Sequence, residues 1–343
     1  MKNLSILALL LTVTILLSVA CGVRREIISL DAIPTRSVVG VPFDTSPELL
    51  APRQIYATLG AVALFDRNNK NGFLSFFDKQ TGVLRQSWGT EGRGPGEFIL
   101  PRIVATQKGL TVTSADANYR KLRFTDSLEI ALLDMGEYEE KLIGSNFLFI
   151  VNDSRVISVK EGPNQLQILN LQTGEEEHAN YHPLKMPRNI DPVALNSTVF
   201  QAHYAYHEDS ERLFVAYQYH PIASVIDAAG NGLVGETRFD SFRNDIKKDD
   251  QGGWAYVDPT LGYTFTAVSD NFFYALYQGS NRKILSANIQ KSEIHKYDMS
   301  GRLIERILVD EPVYHFSVEL DDSKIYAMFL DSEFIAKVCI YDI

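Results

Sequence analysis

Phe76-Phe-Asp78-Lys-Gln-Thr-Gly82 is the stretch whose reading decides the fold. Two aromatics end a β-rich run, an Asp follows whose short side chain caps its own turn, and a Gly tolerates left-handed backbone. Read alone, this is one strand running into one tight turn. The pattern then returns five times: Arg123-Phe-Thr-Asp126-Ser, Ile168-Leu-Asn170-Leu-Gln-Thr-Gly174, Val225-Ile-Asp227-Ala-Ala-Gly230, Lys296-Tyr-Asp298-Met-Ser-Gly301 and Cys339-Ile-Tyr-Asp342. Anchors at 78, 126, 170, 227, 298 and 342 stand 48, 44, 57, 71 and 44 residues apart. A four-stranded propeller blade takes about 40–45 residues, so six repeats at these spacings predict a six-bladed β-propeller, with insertions in the two long intervals.

A second β-rich run precedes each anchor: Ala61–Phe65, Leu110–Thr113, Arg155–Val159, Leu213–Tyr219, Phe272–Tyr277 and Ile325–Phe329. No long stretch carries a helical period. With strands a to d counted outward from the axis, the anchored strand is c, and blade one covers about residues 50–91. Blade six stops at Ile343 on its third strand, so its fourth must come from elsewhere. Glu26–Leu30 or Ser37–Val41 can supply it, closing the ring by pairing both chain ends and leaving no open edge there.

The chain has 343 residues, with 45% hydrophobic and 22% charged, and a net charge of −10. It is long enough to bury a core without disulfides or metals. Its basic residues are scattered, which argues against nucleic-acid binding and against electrostatic docking on anionic lipid. Residues 1–20 form a leader: Lys2 begins a positive n-region and an apolar run extends from Leu4 to Ala20. Small residues then lead into a cysteine, Leu17-Ser18-Val19-Ala20-Cys21-Gly22. This resembles a bacterial lipobox, in which the cysteine is acylated and becomes the mature N-terminus, although Ser18 stands where lipoboxes usually carry Leu. The resemblance implies a signal peptide over 1–20, lipidation at Cys21, a tether over 21–25 and a propeller over 26–343. Gly22, rather than Asp, after the cysteine implies sorting to the outer membrane. Cys339 lies in an apolar run and has no expected disulfide partner.

One motif goes beyond the repeat: Gly89-Thr-Glu-Gly92-Arg-Gly94-Pro95-Gly96-Glu-Phe98-Ile-Leu-Pro101. It follows strand d of blade one and leads to strand a of blade two. It resembles the blade-connecting motif of NHL-type propellers, and in its Gly-Arg-Gly-Pro-Gly-Glu-Phe form the TolB-like six-bladed propeller lipoproteins of bacteria. Together with the repeats and the leader, the resemblance spans nearly the whole chain and implies fold and anchoring, with little about activity. The glycines permit positive φ in the crossing, and Phe98 is expected to plug the space between blades. A phosphate cradle is a poor reading, because Pro95 removes a donor and no Gly-Lys-Ser/Thr follows.

Other chemical motifs dissolve on inspection. Asp66-Arg-Asn68-Asn-Lys70-Asn-Gly72 has Lys70 and Phe77 where a calcium loop needs oxygen ligands, and reads as a polar turn. His203 and His207, if on one strand, stand about 13 Å apart, too far for one ion. His178 and His182 lie with Glu175, Glu176 and Glu177 in what reads as a solvated turn. No nucleophile elbow, zincin motif or Cys–His cluster is present, so no catalytic residue, metal or cofactor is assigned.

Loop lengths carry the functional expectation. The a–b and c–d turns, which share one face of the disc, are short, whereas 177–199, 238–261 and 281–292 are long and fall on the opposite face beside the Gly92–Phe98 crossing. These loops supply Tyr181, His182, Arg188, Trp254, Tyr256, Asp258 and Tyr263 as candidate ligand contacts. The bland alternative is that the same aromatics pack the loops onto the rim. The leading expectation is a monomeric, non-enzymatic binding module for a protein partner or a glycan, touching membrane through its lipid alone. Two alternatives stand beside it: a metal-dependent hydrolase or lyase, with carboxylates and His converging at the axial channel mouth, and a structural subunit of an envelope complex.

Overall fold

The computed structural model describes residues 24–46, 51–115, 118–124, 130–137, 147–152, 155–159, 166–170, 172–179, 201–228, 232–248, 254–256, 258–281 and 291–343. The chain opens with three short strands, β1 (Arg24–Ile28), β2 (Thr35–Val38) and β3 (Val41–Pro42). Blade one follows as β4 (Gln54–Ala57), β5 (Ala61–Phe65), β6 (Leu74–Asp78) and β7 (Leu84–Trp88). Blade two is β8 (Arg102–Thr106), β9 (Gly109–Thr113), β10 (Asn118–Phe124) and β11 (Ile130–Glu137). Blade three is β12 (Phe147–Asn152), β13 (Arg155–Val159), β14 (Leu166–Asn170) and β15 (Glu176–Ala179). Blade four is β16 (Ala202–His207), β17 (Arg212–Tyr217), β18 (Ile222–Asp227) and β19 (Gly232–Phe239). A hairpin, β20 (Ile246–Lys248) and β21 (Trp254–Tyr256), precedes blade five: β22 (Thr260–Val268), β23 (Phe272–Asn281), β24 (Ser292–Asp298) and β25 (Leu303–Val309). Blade six is β26 (Val313–Val318), β27 (Lys324–Leu330) and β28 (Ala336–Asp342).

Each blade is an antiparallel meander in the expected order. The anchors at 78, 170, 227, 298 and 342 end the third strand of their blades; Asp126 lies outside the described residues. The carboxylate of Asp78 accepts the N–H groups of Gln80 and Thr81, while Gly82 takes φ +64°. Asn170 accepts from Gln172 and Thr173, and Asp298 from Ser300 and Arg302. At these three anchors the repeat is an Asx turn that satisfies backbone donors where the blade reverses direction.

Inner strands are apolar on both sides because a blade packs on both faces, as in a covered parallel sheet. All five residues of β5 are buried. The apolar clusters lie between neighbours: blades one and two meet through Phe73, Phe98 and Val112, four and five through Phe214, Phe273 and Tyr297. Blades six and one meet through Phe77, Tyr326 and Met328.

The expectation for the N-terminal segment holds at Val41 and fails for the residues before it. Val41–Pro42 supplies the fourth strand of blade six, pairing antiparallel with β28 through Ile340↔Val41 and Cys339↔Pro42. Glu26–Leu30 does not: β1 lies parallel along β19, outside blade four. Of Ser37–Val41, residues 37 and 38 belong to β2, which lies parallel along β25 outside blade five. Blades four and five already have four strands, so β1 and β2 are fifth strands whose backbone groups cover edges otherwise left open. The segment reaches blade one as well, where Ser46 bridges Val83.

Candidate functional site

The crossing from blade one to blade two is built as the glycines require. Gly89 takes φ +82°, and a Cβ there would lie 2.3 Å from the Phe73 ring. Gly92 N–H donates to the Phe98 carbonyl, Gly94 N–H to the Glu97 carboxylate and Glu97 N–H to the Gly94 carbonyl. These three donors are consumed inside the turn. Phe98 is 1% exposed and sits edge-on to Phe73 at 5.5 Å, with the Arg120 guanidinium over its other side. Pro101 is buried, while Pro95 and Gly96 stay at the surface. The motif is a plug between blades.

The axial channel is narrow, with a cavity of about 70 Å³, room for a few waters only. Its described walls come from the first strands of blades one, two, four, five and six, and from Leu320 beyond β26. Tyr206 of β16 pairs directly with Thr106 of β8, bridging from blade four to blade two across the place where β12 would enter. The lining is largely apolar or hydroxylic, with Gln54 and His203 as its larger polar groups and no carboxylate among the described residues. His203 is pushed down to about 4 by burial, opposed by a hydrogen bond to Gln218. Behind the wall, His315 accepts the Ile55 N–H on Nδ1 at 3.2 Å and lies 3.7 Å from the Phe265 ring. Burial drives it down to about 3, with His203 adding repulsion. A hydrolase of the expected kind needs carboxylates converging here. The described lining holds none, although beyond it Asp270 lies near enough to Asp209, Asp321 and Asp322 to feel their charge.

The crossing from blade four to blade five builds the opposite kind of surface. Its β20–β21 hairpin is clamped onto the b–c turn of blade four. The Asn244 amide donates to the carbonyls of Tyr219 (2.7 Å) and Thr260 (2.8 Å), and its Oδ1 accepts the Thr260 N–H. The Tyr256 hydroxyl bonds His220 Nε2, and its ring lies 5.2 Å from Tyr219. Gly262 passes so close that a Cβ would meet the His220 carbonyl at 2.5 Å. Trp254 and Tyr256 are half-buried and Asp258 is exposed, with φ +47°. The bland reading therefore holds for Tyr256, which packs the hairpin down. Tyr181, His182, Arg188 and Cys21 lie outside the described residues, as do most of the loops 177–199 and 281–292.

The sequence model of the TolB-like six-bladed propeller family matches residues 49–321. The chain belongs to that family. Among solved structures, a Bacteroides fragilis protein assigned as exported is similar at 13% identity and a TM-score of 0.53, with 93% of this chain and 98% of that chain covered. A member of the DUF4221 family from Bacteroides vulgatus gives 12% identity and a TM-score of 0.49, covering 90% and 97%. No curated protein matches.

In this TolB-like propeller, Tyr263 is not a loop residue. It lies in β22, is fully buried, and bonds His295 Nδ1 at 3.1 Å and the hydroxyl of Tyr297. His295 Nε2 meets Glu293 at 2.7 Å, and Arg306 donates to the same carboxylate and to the Leu30 carbonyl. Glu293 is held down at about 2: its hydrogen bonds from His295 and Arg306 outweigh the opposing burial. The network ties the core of blade five to the N-terminal segment, so Tyr263 serves stability. It was misplaced because loop and strand meet within a few residues at Thr260. His220 and Gln218 were missed; their signal, a polar b–c turn after an apolar run, recurs too widely to single them out.

Proposed function

We propose that this TolB-like propeller is a lipid-anchored binding module of the cell envelope, held through Cys21 at the outer membrane. It takes a protein partner or a glycan on its long-loop face and carries out no chemistry of its own. The observation that carries the reading is the clamped β20–β21 hairpin, which presents half-buried Trp254 and exposed Asp258 on a rigid support. Rigid aromatics beside polar groups bind at low entropic cost.

The test is glycan-array binding together with total metal analysis on residues 22–343. Glycan binding that disappears in Trp254→Ala, with the melting temperature unchanged, supports the reading. Stoichiometric calcium or zinc accompanied by hydrolytic turnover refutes it. Trp254 is the residue to replace because Tyr256 and Tyr263 are committed to packing.

A further inference from the structure

Trp88, the last residue of β7, stands where blade one gives way to the glycine-rich crossing. Its ring is fixed by two others, edge-on to Phe73 at 5.8 Å and tilted against Phe98 at 5.4 Å, yet it stays half-buried. From blade two, Arg120 of β10 lays its guanidinium 5.4 Å from the centre of the same Phe98 ring. The group reaches as far as the crossing, since a Cβ on Gly96 would lie 4.0 Å from its Nη2. One buried aromatic therefore positions both an indole and a cation.

Between them lies a groove of about 430 Å³, the size of a small-ligand site. Its described walls divide by chemistry. Leu122 and Leu132 make an apolar side, while Gln86 of β7 and Thr90 of the crossing bring amide and hydroxyl groups. Gly89 and Gly96 leave the crossing side bare of side chains.

Arg120 is the group that names the ligand. Arg36, Arg67, Arg85, Arg238 and Arg306 each meet a carboxylate. Arg120 meets none among the described residues. Both acids of the crossing are committed elsewhere, Glu91 to Arg67 and Glu97 to the Gly94 N–H. A guanidinium held in place with its fork of donors unspent is preorganised to take a carboxylate in bidentate fashion. An aromatic wall beside amide and hydroxyl groups suits a ring with apolar faces and a hydroxylated edge. A protein interface of standard size covers about 800 Å² on each partner, of which a groove this small supplies only part.

We propose that the groove between blades one and two binds an acidic sugar, a uronic-acid residue whose carboxylate pairs with Arg120 beside Trp88. The proposal rests on the reading of the long-loop face as glycan-binding and names the class of sugar. It places a second contact there, three crossings along the chain from the Trp254 hairpin.

The chain holds two tryptophans, Trp88 and Trp254, so each can be made the sole emitter. Trp254→Phe reports on the groove and Trp88→Phe on the hairpin. Each is titrated with a uronic-acid tetrasaccharide and with its carboxyl-reduced, neutral counterpart. The acidic sugar should change Trp88 emission saturably, and the neutral one should bind at least about tenfold more weakly. Arg120→Gln, added to Trp254→Phe, should erase that preference. Arg120→Lys keeps the charge without the fork, and should weaken the acidic sugar several-fold while leaving the neutral one unchanged. Silent Trp88 emission, equal binding of the two sugars, or a preference that survives both Arg120 variants overturns the proposal. So does a tetra-aspartate peptide that binds the groove as tightly as the acidic sugar. An acidic sugar that moves Trp254 alone refutes the groove and leaves the hairpin reading intact. Arg120-dependent binding with Trp254 unmoved supports the groove and counts against the hairpin.

Discussion

Gly89 and Gly174 separate two costs that are usually confounded. Both hold positive φ, +82° and +71°, but a Cβ on Gly89 would strike the Phe73 ring, whereas at Gly174 it meets nothing within 4 Å. Gly174→Ala is expected to cost about 1 kcal/mol, the backbone term alone. Gly89→Ala adds overpacking, for about 3 kcal/mol in all. Urea unfolding of the two variants checks the difference, and equal losses would remove the plug from the account. His315 makes a second residue-scale claim. Its pKa falls from 6.5 in the unfolded chain to about 3 in the fold, so the unfolded state binds the extra proton between these values. Stability should be complete above pH 6.5 and fall by about 1.4 kcal/mol per unit below it for this group. His203 and His220, both pushed down to about 4, act in the same direction. His315→Asn, which keeps an acceptor for the Ile55 N–H, should flatten the slope of stability against pH between 6.5 and 4. An unchanged slope would contradict the assignment.

Among the elements, the β20–β21 hairpin is fastened by Asn244 and by the Tyr256–His220 bond, so loss of Asn244 should loosen it while the blades stay intact. Asn244→Ala removes three hydrogen bonds and should weaken the attachment by about 2 kcal/mol. Hydrogen exchange should then rise across β20 and β21 while the blades keep their protection. Uniform exchange across blades four and five would mean that the hairpin is part of their core. The blades were legible because the signals that define them are local. An Asx turn is written in four or five consecutive residues, and Asp78 or Asp298 announces its strand end without help from afar. The N-terminal strands were not legible, because β1 and β2 choose partners more than 200 residues away and nothing in Arg24–Ile28 says which edge it will cover. The direct pairing of Tyr206 with Thr106 was equally hidden, since the two residues stand 100 positions apart in the chain. Of the candidate site, loop length led to Trp254 and Tyr256, which stand on the β20–β21 hairpin, whereas Tyr263 was misread because a strand beginning at Thr260 looks like the end of that loop.

For the molecule as a whole, the two faces and the axis make different offers. The described axis lining is narrow and without carboxylates, the short-turn face pairs Glu319, Asp209 and Glu208 with Lys79, Lys108 and Lys121, and the long-loop face carries a braced aromatic hairpin. The Gly92–Phe98 plug and the edge-covering N-terminal strands hold the blades together, the kind of scaffold on which the proposed binding face would rest. The claim that binding resides there and outside the channel reduces to one comparison. Residues 22–343 are titrated calorimetrically with the glycan that the array selects, then again as Trp254→Ala and as Thr266→Val, the latter changing the channel wall. The account predicts that Trp254→Ala weakens binding by about tenfold or more, as loss of a central aromatic anchor does, while Thr266→Val stays within about twofold. Binding lost in Thr266→Val and intact in Trp254→Ala would place the site in the channel and contradict it.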